Sequence, residues 1–148
     1  IAIRGGCGRL RESATQQLRA QAGLPIGQHE MESLMRTVGL DGDPEADSNL
    51  AGAIDLHLVQ NALKDAVRPL IVDIAEFVGT LDPYILTSVF DSSVQLTGGG
   101  ALIPGMASSL SRAMGLPVSV PNDARRAVIT GATAMLDVAR RTRLWRTD

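Results

Sequence analysis

Three consecutive glycines, Gly98-Gly99-Gly100, stand where a short alternating run, Val94-Gln95-Leu96, gives way to an amphipathic segment from Met106 to Met114. The order predicts a strand, a glycine turn and a helix. With no Cβ in the way, the backbone of such a turn can approach a ligand closely, and positive φ costs nothing there. The same glycines also make an ordinary strand-to-helix turn. Other candidate chemistry is sparse. Cys7 is the only cysteine, which excludes a disulfide framework and a cysteine-based zinc site and fits a reducing compartment. His29 and His57 fall in different predicted elements, and no Ser or Asp pairing makes either part of a triad; His57 reads as a surface or capping residue. Asp41, Asp43, Glu45 and Asp47 alternate like the start of a calcium loop, but Gly52 stands where the closing acidic ligand is needed. A mobile acidic loop is the expectation there. No catalytic residue and no metal set emerges from the residue pattern.

The elements that position the glycine turn follow from periodicity. Ile1 to Arg4 reads as the end of a strand and runs into Gly5-Gly6-Cys7-Gly8. Leu10, Ala14, Leu18 and Ala22 predict a helix over 10–22, and Met31, Leu34, Met35 and Val38 another over 28–38. The longest helical pattern covers 54–81, with Pro69 expected to kink or divide it. Residues 84–90 suggest a helical turn or two. Val118-Ser119-Val120 alternates as a second strand, expected to run parallel to the one at 94–96 because a helix joins them. A last helix, capped by Asn122 or Asp123, carries Val128, Ala132, Met135 and Val138.

At 148 residues the chain can form one domain with a real core, or two small subdomains. Aromatics are only 3% against 45% apolar residues, so Leu, Ile, Val, Ala and Met must build that core. A net charge of −2 without a basic stripe excludes nucleic acid as an expected partner. No apolar run reaches the roughly 18 residues of a spanning helix, and no signal-peptide pattern is visible. Ile1 in place of an initiator Met gives the expectation of a longer protein that was trimmed, with processing or a disordered start as other routes.

Leu96-Thr97-Gly98-Gly99-Gly100-Ala101-Leu102-Ile103-Pro104-Gly105, then Gly115-Leu116-Pro117-Val118-Ser119-Val120, then Gly131-Ala132-Thr133-Ala134, resembles in order and spacing the C-terminal end of the bacterial actins. The nearest likeness is to the MreB/Mbl rod-shape family, with the cell-division actin homologue and the heat-shock chaperone ATPase more distant. The resemblance implies an α/β fold, part of an actin-like ATPase (ribonuclease H-like) fold with mainly helices on a short parallel sheet. Residues 1–55 would be a small outer subdomain with the entry helix, and 56–148 the C-terminal part of the nucleotide-cleft subdomain. Gly98, Gly99, Gly100 and Ala101 match the adenosine motif, and Glu32 matches the first residue of a Glu-x-x-Lys pair that contacts ribose and base. Met35 takes the Lys position; it could pack on a purine but could not hydrogen-bond it. On residue type alone, Met35 reads as core and Glu32 as solvated surface.

The chain departs from the resembled pattern at Cys7-Gly8, where one residue is inserted, at Arg11, where the family has an acid, and at a shortened stretch over 40–53. The phosphate-clasping loops and the catalytic glutamate have no counterpart. Phosphoryl transfer depends on positioning phosphates, metal and water. These residues alone are therefore not expected to hydrolyse ATP or to hold it tightly, although ATP with Mg2+ is implied for the full-length protein. The implied function is a cytoplasmic, ATP-binding protein whose filaments govern cell shape, self-associating and meeting cell-shape or division proteins. Arg140, Arg141, Arg143 and Arg146 with Trp145 could touch an anionic membrane surface or form a frayed tail. A degenerate scaffold without nucleotide, or a chaperone or pilus-assembly relative, are the alternatives.

Overall fold

The computed structural model describes residues 6–23, 25–42 and 54–142. The strand expected at 1–4, the acidic residues Asp43, Glu45 and Asp47, and the tail with Arg143, Trp145 and Arg146 lie outside the described residues.

Helix α1 (Cys7–Ala22) buries Leu10, Ala14 and Leu18 along one face, the stripe that their spacing dictates. Helix α2 (Gln28–Thr37) buries Met31, Leu34 and Met35 in the same way. Helix α3 (Leu56–Gly79) begins at Asp55, whose carboxylate accepts hydrogen bonds from the backbone N–H groups of His57 and Leu58 at 2.9 and 3.2 Å. Such a cap contributes about 1 kcal/mol. His57 thus gives its backbone to the cap, and the capping side chain is its neighbour's. Pro69 does not divide α3. It lies on the exposed side with Asp65, so the carbonyl deprived of its N–H partner can turn to water.

Helix α4 (Pro83–Ser92) is longer than the sequence suggests. Asp82 caps it through the Tyr84 N–H at 2.8 Å, and Pro83 suits the first helical position. Strand β1 (Val94–Gln95) pairs in parallel with β2 (Val118–Ser119), Val94 opposite Val118 and Gln95 opposite Ser119. Between them lie a 3-10 turn (Gly99–Leu102) and helix α5 (Met106–Met114). Of the two candidates for the start of helix α6 (Ala127–Thr142), Asp123 is the one engaged, accepting from the Arg126 N–H at 3.3 Å.

Helices α1 and α3 pack most extensively, and α5 packs on α3. One apolar cluster joins Leu18, Met31 and Leu34 to Val59, Leu63 and Val67, extends to Met106 and Leu110, and receives Leu96 and Val118 at the sheet. Residues before and after position 55 share this core, which fixes α2 relative to the glycine turn. No helix among the described residues is long and apolar enough to cross a membrane.

Candidate functional site

The glycine turn begins at Gly98, whose φ of +85° puts it in the region that only glycine enters freely. Its N–H donates to the Ala124 carbonyl at 2.8 Å, which ties the turn to the segment before α6. On the other side stands the first residue of α1. A Cβ added at Gly99 or Gly100 would lie 3.6 or 3.4 Å from Cys7 Sγ. Ala101 is buried beneath the turn.

A second clasp holds α2 against this turn. The Leu40 N–H donates to the Pro104 carbonyl at 2.8 Å. Gly39 passes so close that a Cβ there would sit 2.6 Å from Pro104 Cβ. Asp41 accepts a hydrogen bond from the Ser108 hydroxyl in the first turn of α5 and pairs with Arg112 at 3.7 Å. A carboxylate at a helix N-terminus is favoured by the exposed N–H dipoles. The residue read from sequence as one of an acidic loop is therefore a strut.

Between α1, α2, the glycine turn and the segment before α6 opens a cavity of about 280 Å³. Cys7, Met35, Gly99 and Ile103 form its apolar wall, while Arg11, Glu32, Arg36 and Arg125 contribute the charged groups. Of the six residues singled out from sequence, Glu32, Met35 and Gly99 meet here. Gly98, Gly100 and Ala101 line a neighbouring cavity of about 390 Å³ with Leu70, Ile74 and Leu96, and Cys7 and Gly99 line both cavities. Met35 belongs to both readings, being 4% exposed in the core and part of the cavity wall. Arg36 and Arg125 were not legible as site residues. Arg36 sits four residues from Glu32 and so on its face, a signal that was present; Arg125 comes from a turn that carries no pattern.

Glu32 is half-exposed and already engaged. Its Oε1 accepts from Arg36 Nη2, and its Oε2 lies 4.0 Å from Arg11 Nη1. Burial pushes the Cys7 thiol up, Glu32 pushes the same way, and Arg36 and Arg11 oppose. Cys7 therefore stays protonated at neutral pH and is a wall rather than a nucleophile. Among the described residues no group of three or more His, Cys, Asp and Glu could hold a metal ion. One carboxylate shared by two arginines does not suit Mg2+, which demands an octahedral oxygen shell. What the cavity can do is take a flat, partly polar group: apolar atoms for its face, guanidinium donors and one carboxylate acceptor for its edge.

The family model described as MreB/Mbl protein matches residues 2–143. Among solved structures, MreB5 of Spiroplasma citri bound to ADP superimposes with a TM-score of 0.75 at 17% identity, over 93% of this chain and 46% of that one. MreB 5 of Spiroplasma citri bound to AMPPNP gives a TM-score of 0.77 at 18% identity, over 95% of this chain and 46% of that one. At such identity the likeness is one of fold. The chain spans about half the length of these structures.

Proposed function

Because this chain belongs to the MreB/Mbl protein family, with its actin-like fold, we propose that it forms the nucleoside side of a nucleotide cleft in a filament protein that governs cell shape. ATP with Mg2+ is the ligand of the whole protein in this reading. Residues 1–55 serve as the outer subdomain and 56–148 as the cleft subdomain. The protein is cytoplasmic, associates with itself, and meets a membrane surface or cell-shape partners through parts of the assembly.

The observation that carries the reading is one cavity walled by Glu32 and Met35 of α2 and by Gly99 of the glycine turn, segments far apart in sequence. That the two solved relatives hold ADP and AMPPNP supports a nucleotide here. Gly98, Gly100 and Ala101 act as the backbone support of Gly99. The described residues offer the base and ribose side only, so ATP is held weakly by this chain alone: micromolar affinity needs about 8 kcal/mol.

Gly99→Val tests the proposal in a protein that carries this chain. Gly99 lies outside the left-handed region, and a Cβ there makes ordinary contact with Cys7 Sγ, so the fold tolerates the change while the branched side chain enters the cavity. Sedimentation with and without ATP, beside a thermal melt, should show nucleotide-dependent pelleting lost and the melt kept. Unchanged ATP-dependent pelleting by a folded variant rules the adenosine role out. A nucleotide-free scaffold is then the reading, and one observation favours it: Glu32 is already held by Arg36 and Arg11.

A further inference from the structure

Three guanidinium groups, Arg11, Arg36 and Arg125, line the cavity together with a single carboxylate, Glu32. Position 35, where a Lys donor is expected, holds Met and supplies only apolar wall. Arg36 follows it directly and reaches the same space while donating to Glu32. A guanidinium has five N–H donors and no acceptor, so Arg36 keeps donors to spare. Arg125 has no hydrogen-bond or ion-pair partner among the described residues.

We infer that Arg36 and Arg125 are the base-specificity residues of this cavity and tilt it toward purines with a 6-oxo group, guanine and hypoxanthine, relative to adenine. The inference rests on the reading of the cavity as a base pocket. In a 6-oxopurine, O6 and N7 are neighbouring acceptors that match two parallel guanidinium N–H groups, the commonest specific pairing of Arg with a base. Adenine presents N7 beside an amino donor, so the second N–H of the fork meets another donor. On its other edge a 6-oxopurine offers N1–H, and guanine adds its 2-amino group; both suit a carboxylate acceptor such as Glu32. A lysine would not discriminate in this way, being a point donor without a planar fork.

The test is a titration of the 148-residue chain, labelled with nitrogen-15, by AMP, IMP and GMP at millimolar concentrations, followed by amide shifts. IMP has O6, N7 and N1–H without the 2-amino group, which separates the contribution of the 2-amino group from the rest, and the arginine variants isolate the O6 and N7 contacts. Shifts are expected at Glu32, Met35 and Gly99, with IMP and GMP bound about fivefold or more tighter than AMP, the low end for one bidentate pair. Arg125→Leu and Arg36→Lys should remove that advantage, weakening IMP and GMP about fivefold more than AMP, which keeps only N7 as an acceptor on that edge. Arg125 is exposed, so its replacement does not threaten the fold. AMP binding as well as IMP in the wild-type chain overturns the inference, as does an equal loss of all three nucleotides in the variants, or equal shifts with ribose 5-phosphate. The first two results leave the cavity's role as a base pocket standing, whereas equal shifts with ribose 5-phosphate overturn that role as well. No shift at these amides with any nucleotide overturns the base-pocket reading itself.

Discussion

Leu18, Leu63 and Val67 are wholly buried between α1 and α3, whereas Tyr84, Phe90, Val128 and Met135 on α4 and α6 are between 61% and 81% exposed. Both sets sit on helices whose apolar periodicity is plain in the sequence. The difference is the partner. Helix α3 finds α1 on one side and α5 on another, while no residue of α4 is buried and residues 128–138 of α6 are exposed. A helical pattern specifies a face that wants covering, and only the rest of the assembly specifies what covers it. Helix stability in proteins comes mostly from such packing rather than from propensity.

Side-chain truncation separates the covered helix from the uncovered one. Leu63→Ala removes a fully buried side chain and should cost roughly 2–5 kcal/mol. Met135→Ala, on an exposed face, should stay within about 0.5 kcal/mol. In a chain of this size each kcal/mol moves the melting midpoint by roughly 2–4 °C, so the two variants separate clearly in a thermal melt. Hydrogen exchange gives the same contrast without mutation: amides in the first half of α3 should open only with global unfolding, and those of α6 by local fraying. Equal protection of α3 and α6 would mean that α6 has a packing partner in solution.

A smaller effect compares two turns with the same backbone. Gly23 and Gly39 have φ of +63° and +62°. Around Gly23 nothing among the described residues beyond its chain neighbours lies within 4 Å of an added Cβ, whereas at Gly39 that atom would sit 2.7 Å from the Pro104 carbonyl oxygen. Gly23→Ala should therefore cost about 1 kcal/mol for the left-handed backbone alone. Gly39→Ala adds a clash at the hydrogen bond between Leu40 and Pro104, and roughly 2–4 kcal/mol is expected. Because that bond seats α2 against the glycine turn, Gly39→Ala should also weaken nucleotide binding if the cavity is the proposed nucleoside pocket, whereas Gly23→Ala leaves the cavity alone. Equal stability losses would show that the clasp yields.

What the sequence made legible follows the same division. Periodicity located α1, α2 and α3, and alternation around the glycines located two strands that do pair in parallel. The meeting of Glu32, Met35 and Gly99 in one cavity followed from the resemblance to the bacterial actins. Arg125 was invisible because its place depends on the Gly98 to Ala124 hydrogen bond, a long-range contact that no local pattern encodes. Asp41 was misread for a related reason: a run of carboxylates looks alike in solution and against a helix end, and only the approach of Gly105 to Asp41 decides between them. Of the two outcomes expected at Pro69, a kink or a division, the division does not occur, since the cost of a proline depends on whether its orphaned carbonyl faces water.

The smallest expected effect, and the one with opposite signs in its two arms, lies where the outer helix α4 hands over to the core strand β1. Ser93 has φ +64° and ψ +153°, a conformation essentially reserved for glycine that costs a side-chain-bearing residue about 1–3 kcal/mol. Its hydroxyl is 2.9 Å from the Ser119 hydroxyl and accepts from Gln95 Nε2 at 3.0 Å, joining the two strands. Those bonds offset part of the strain, at roughly 0.5–1.5 kcal/mol each at most for partly exposed groups. Ser93→Ala removes the hydroxyl and keeps the strain, so it should destabilise by about 0.5–1 kcal/mol. Ser93→Gly removes both; after the larger backbone entropy of glycine is charged against it, a net gain of roughly 0.5 kcal/mol is expected. Urea midpoints at constant m-value decide the matter. If glycine lowers the midpoint as far as alanine does, the hydroxyl bridge outweighs the strain, and the junction between the outer helix and the sheet is held by side chains rather than limited by its backbone.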